Sequence, residues 1–171
     1  MFTREQFVES VLTEGQILKH LHSRVPADKL DFRPTPEQRS LGELLAYLPL
    51  NAGPLVQAIV ANDFKPLMEG AEALMAEARK DFVGVIDRET QRVGELLKDV
   101  PDADFQSREI QMPTGRRVKL GVALVDFVLK FLTAYRMQLF LYLKQCGRPE
   151  LKTTNLWRGE DPSPDGPKAH G

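Results

Sequence analysis

Eighteen of the twenty-four residues from Leu120 to Leu143 are apolar, and no other stretch constrains the fold as strongly. A membrane-spanning helix needs about twenty nearly uncharged residues. Here Asp126, Lys130, Arg136 and Gln138 interrupt the run, so it reads as a helix buried in protein and no membrane role is expected. A helix apolar around most of its circumference is either central in a bundle or shared with a second subunit. The expectation is a homodimer that uses this last helix.

Three further helical patterns precede it. Thr3-x-x-Gln6 is a capping box, and Phe7, Val8, Val11, Leu12, Gly15, Leu18, His22 and Val25 follow at steps that put one stripe on one face. Pro26 ends that pattern, and the prolines in Asp31–Pro36 exclude helix there. Ser40-x-x-Glu43 caps a second helix with Leu41, Leu44, Leu45 and Leu48 inward. Pro49 predicts a kink or early stop before the pattern resumes at Leu55, Val56, Ile59 and Val60. Asn62–Pro66 reads as a connector. A third helix is predicted over roughly 71–98, its apolar stripe set by Leu74, Ala78, Phe82, Val85, Ile86, Val93, Leu96 and Leu97. Its other face is charged and solvated, and Pro101 stops it.

Between the third and fourth helices, residues 108–112 and 116–120 alternate weakly around Pro113-Thr114-Gly115, as a short β-hairpin or an irregular loop would. The fourth helix should run to Cys146, with Gly147 and Pro149 just beyond. The chain thus reads as all-α: an antiparallel four-helix bundle over residues 1–158, followed by a loose tail over 159–171 rich in Gly, Pro and Asp. Trp157, the only tryptophan, is expected to pin the start of that tail to the bundle.

Composition narrows the function. A net charge of −1 gives no global field toward nucleic acid or an acidic membrane, and Arg116-Arg117 beside Gly115 reads as a solvated turn. One cysteine, Cys146, allows no internal disulfide, and no signal-peptide pattern stands at the N-terminus. A bacterial-type cytoplasm is therefore the simplest compartment. No Gly-rich phosphate loop, Cys-x-x-Cys, His-Glu-x-x-His or Gly-x-Ser-x-Gly is present. His20 and His22 lie two apart on a helix and point in different directions, so they cannot share a metal; His170 falls in the tail.

Three phrases in order carry a resemblance. They are Phe32-Arg33-Pro34 with Arg39-Ser40-Leu41-Gly42-Glu43-Leu44-Leu45, then Tyr135-Arg136-Met137-Gln138-Leu139 with Tyr142-Leu143 and Gly147-Arg148-Pro149, then Asn155-Leu156-Trp157-Arg158-Gly159. Together they resemble the DinB-like family. The resemblance implies a four-helix bundle, often dimeric, in which many members hold a divalent metal with three histidines, and some use it to activate a low-molecular-weight thiol. It places those ligands at Tyr47, Phe131 and Tyr135 of this chain. Phenylalanine cannot ligate, and a phenol with a pKa of about 10 is a poor divalent-metal ligand. No metal or other cofactor is therefore expected. Tyr47, Asn51, Phe131 and Tyr135 are the candidate residues of a small-molecule pocket, unless the aromatics simply fill the place as core. Three functions stay open: a metal-free binding or interaction protein, a thiol-dependent transferase or isomerase using the tyrosines, and a scaffold without a ligand.

Overall fold

The computed structural model describes residues 3–163, so His170 and most of the expected tail lie outside the described residues. Helix α1 (Arg4–His22) begins at the expected capping box: the Thr3 hydroxyl accepts the Gln6 N–H and the Gln6 side chain accepts the Thr3 N–H. Helix α2 (Leu41–Tyr47) begins at the second box, between Ser40 and Glu43. Pro49 then acts as its chemistry requires. The chain tightens into a 3-10 turn (Leu48–Asn51), Ala52 leaves helical space at φ −106° and ψ −115°, and α3 (Gly53–Ala61) restarts with Pro54 in its first turn. Asn62, at φ +54°, ends α3. The whole stretch Leu41–Ala61 is long and apolar enough to cross a membrane, but 72% of its most apolar window is buried inside the bundle.

The third predicted helix is in fact two, α4 (Lys65–Ala78) and α5 (Phe82–Leu97). Asp81 causes the break by capping a new helix: its carboxylate accepts the Gly84 N–H at 2.9 Å. The division has a topological purpose. Gly15 of α1 lies against Thr90 and Lys19 pairs with Asp87, so α1 and α5 run antiparallel. Gly53 abuts Glu89 and Gln57 bonds Arg92, so α3 and α5 run parallel. A 14-residue helix spans about 21 Å at 1.5 Å per residue. Helix α4 thereby carries the chain back along the bundle, so that α5 can run in the same direction as α3.

A short α6 (Asp102–Ser107) leads to the hairpin, β1 (Glu109–Gln111) against β2 (Arg117–Lys119) in antiparallel register, Ile110 facing Val118. Gly115 turns it at φ +81°, and the Asn62 side chain accepts the Gln111 N–H at 2.8 Å, tying the hairpin to the end of α3. The last long helix is continuous but not uniform: α7 (Leu120–Leu124), one π turn (Val125–Leu129) and α8 (Lys130–Gln145). Tyr142 donates its hydroxyl to the Arg39 carbonyl while Tyr135 meets Tyr47, so α8 is antiparallel to α2. It is parallel to α1, as shown by the Glu14–Arg136 pair at one level and the Arg148 bond to the Arg24 carbonyl at another. The core is one continuous cluster of buried apolar side chains drawn mainly from α1, α2, α3, α5, α7 and α8.

The end of the chain differs from expectation. Helix α9 (Thr153–Arg158) docks on α1 through Asn155 and Leu156, both buried, while Trp157 is 57% exposed. On a single turn of helix Asn155 and Leu156 take the inner face, which turns the indole outward. Residues just past Trp157 are held as well: Asp161 pairs with Arg24 and accepts an N–H from Asn155.

Candidate functional site

Tyr47 is the last residue of α2, placed there by Pro49, and Phe131 and Tyr135 lie one turn apart on α8. The structure brings the three together. The Tyr47 and Tyr135 rings meet edge to face with centroids 5.2 Å apart, Phe131 meets Tyr135 at 6.2 Å, and Phe127 from the π turn extends the cluster at 5.8 Å from Phe131. Such pairs add about 1 kcal/mol each beyond their buried area. The Arg39 guanidinium lies 3.9 Å over the Tyr47 ring. All four aromatic rings are half-buried, so the cluster is a wall reaching the surface.

Burial pushes the Tyr47 phenol above its ordinary value, and the neighbouring Tyr135 phenol pushes the same way against a smaller pull from Arg39. A phenol held neutral and a phenyl ring are not a divalent-metal donor set. Among the described residues no group of three His, Cys, Asp or Glu side chains is placed to hold a metal ion. The residues present thus do not fit the metal that the resemblance implies. Asn51 has a different part: it is buried, and its amide donates to the carbonyls of Tyr47 and Leu48, both at 3.2 Å. It caps backbone groups where α2 gives way to the 3-10 turn.

A TM-score of 0.67 relates this bundle to the crystal structure of YjoA, a DinB-like protein from Bacillus subtilis, over 86% of this chain and 95% of that one, with 19% sequence identity. The chain has the DinB-like fold. No family model matches the sequence, and no curated protein does.

The remaining singled-out groups of this DinB-like bundle are absorbed by packing. The His22 ring stacks on Phe82 at 4.8 Å, and burial holds its pKa below the ordinary value, opposed by Asp81. The His20 ring is bonded to the Asn155 amide at 3.0 Å. Cys146 is buried, which pushes its thiol up, away from reactivity.

The sequence reading missed a second polar locus. Glu14 of α1 is 8% exposed and Arg136 of α8 is 3% exposed. Arg136 meets the Glu14 Oε1 atom at 3.0 Å, and the Thr133 hydroxyl donates to the same oxygen at 3.0 Å. Burial pushes the Glu14 carboxyl up, with Arg136 and Thr133 pulling it down. The available signal was the placement of both charges. Glu14 falls beside Gly15 on the inward stripe of α1, and Arg136 sits inside the most apolar run of the chain.

Proposed function

We propose that this chain is a DinB-like protein without the usual metal site, working as a small-molecule-binding or interaction protein in a bacterial cytoplasm. The observation that carries the reading is the aromatic wall of Tyr47, Phe127, Phe131 and Tyr135, surface-reaching and edged by Arg39. Such a wall offers a flat apolar ligand or partner a face to stack on, with two hydroxyls and a guanidinium to orient it. The enzymatic alternative, a thiol-dependent transferase or isomerase, needs a device that makes a thiolate. The Tyr47 phenol, held neutral by burial, would serve it as a hydrogen-bond donor to a thiolate and not as the base that makes one.

The assembly we propose is a homodimer through the last helix. Its support is a strip on the outer face of α8: Ala134 is exposed, Met137 is 37% exposed and Leu141 is 47% exposed, one turn apart.

Native mass spectrometry of freshly purified protein tests both parts. The expected result is two copies of the chain with no bound metal, and any co-purifying organic mass lost in Tyr135→Ala. One metal ion per chain would overturn the metal-free reading. A monomer at micromolar concentration would overturn the assembly.

A further inference from the structure

We infer that the end of this chain is a pH-sensitive latch: neutral His20 holds α9 and the residues up to Asp161 on α1, and protonation of His20 loosens that hold. The latch shares no residue with the aromatic wall and does not rest on what that wall binds.

Asn155 is the centre of the contact and is 1% exposed. Its Oδ1 accepts the Lys152 N–H at 2.8 Å, at the start of α9, which fixes the two ends of the amide. The Nδ2 group, with its two hydrogens, meets Nε2 of His20 at 3.0 Å and Oδ1 of Asp161 at 3.1 Å. A donor can face imidazole Nε2 only while that nitrogen carries no hydrogen. The docked arrangement therefore selects the neutral ring with its hydrogen on Nδ1. Gly159, at φ +66°, brings the chain closely past Ile17, and Asp161 beyond it pairs with Arg24 through Oδ2.

A proton on Nε2 sets a donor against a donor. The amide cannot turn over without giving up the Lys152 N–H. Asp161 Oδ1 lies 3.8 Å from Nε2, but the two Asp161 oxygens already serve Asn155 and Arg24. Taking Oδ1 for the imidazolium would leave the buried Asn155 amide without an acceptor, which costs more than a pair with a half-exposed carboxylate returns. The charged groups around the ring divide: Asp161 and Glu160 favour the proton and Arg24 opposes it. Burial, the largest influence, acts with Arg24 to hold the His20 ring below the ordinary imidazole value. A base shifted downward in the docked state leaves docking complete above about pH 6.5 and progressively weaker as pH falls below it. Loosening draws Leu156, 4% exposed, off α1 and withdraws the Trp157 indole from the Arg136 guanidinium, 4.8 Å from its ring centre.

Hydrogen exchange of the full chain at about pH 7 and about pH 5, where carboxylates stay largely ionised, tests the latch. Rates are read as protection factors, so that the intrinsic pH dependence of exchange drops out. Protection of the Leu156 amide, which bonds the Lys152 carbonyl, should fall about fivefold on acidification relative to core amides of α8, the worth of one buried hydrogen bond. His20→Gln keeps an acceptor near the place of Nε2 and takes up no proton, so its α9 should be equally protected at both pH values. His22→Phe should leave the fall in place, which separates the latch from the neighbouring histidine. Should His20→Gln not fold, NMR shifts of the wild-type His20 ring serve instead, and their midpoint should coincide with that of the protection loss. Protection of α9 that is flat with pH, that rises on acidification, or that still falls in His20→Gln would overturn the latch, as would a His20 midpoint apart from that of the loss.

Discussion

The two flanks of α8 face neighbouring helices with opposite chemistry. Toward α2, Phe131 and Tyr135 meet Tyr47 in a chain of edge-to-face rings. Toward α1, Arg136 meets Glu14 in a buried ion pair that leaves an oxygen and a nitrogen without partners. Tyr135 and Arg136 are consecutive residues, so one step along the helix separates a flank complete in itself from one that is not. Ring packing tolerates loss of one member, whereas a buried charge does not tolerate loss of its counter-charge.

The largest effect should therefore come from the ionic flank. Glu14→Leu leaves Arg136 buried without its counter-charge and should lower unfolding free energy by about 3–5 kcal/mol, while Glu14→Leu with Arg136→Met should recover most of that loss. Denaturant melts of the two variants check it, and equal destabilisation by both would show that the pair is not the coupled unit described here. On the aromatic flank, Tyr135→Ala should cost about 2 kcal/mol through a half-buried ring. Tyr47→Phe, which removes a half-buried hydroxyl and keeps the ring, should cost about 1 kcal/mol or less. A Tyr47→Phe cost matching that of Glu14→Leu would erase the contrast between the flanks.

The smallest effect is a slope with pH. The His22 pKa is lowered in the folded state, so its contribution is present above the unfolded value of about 6.5 and is lost as pH falls through it. His22→Phe should flatten the rise of stability with pH below about 6.5. Parallel profiles for wild type and His22→Phe would contradict the assignment.

Much of this arrangement was legible before any coordinates. The two capping boxes, the stop at Pro49 and the glycine after the last helix are local chemistry, and each appears where that chemistry puts it. The division of residues 71–98 was not legible, because neither Pro nor Gly marks Arg79–Asp81 and the apolar stripe runs on through the break. Trp157 was expected to anchor the end of the chain, yet Leu156 and Asn155 do so; a single turn of helix has room inward for only one of its neighbouring faces. Convergence of positions 47, 131 and 135 followed from helix phase, but Asn51 serves the backbone, a role set by the particular turn at Pro49. The Glu14–Arg136 pair joins residues far apart in the chain, and pairing of that kind has no periodic signature.

The reading proposed above is that Tyr47, Phe131 and Tyr135 converge as three ligands would while their side chains refuse a metal. Zinc titration calorimetry on the wild type and on Tyr47→His/Phe131→His/Tyr135→His tests it most directly. The wild type should show no stoichiometric binding. The triple variant should take up one zinc per chain with modest affinity, since the new imidazoles lack supporting hydrogen bonds. Tight stoichiometric zinc in the wild type, or a folded triple variant with no affinity at all, would contradict the account.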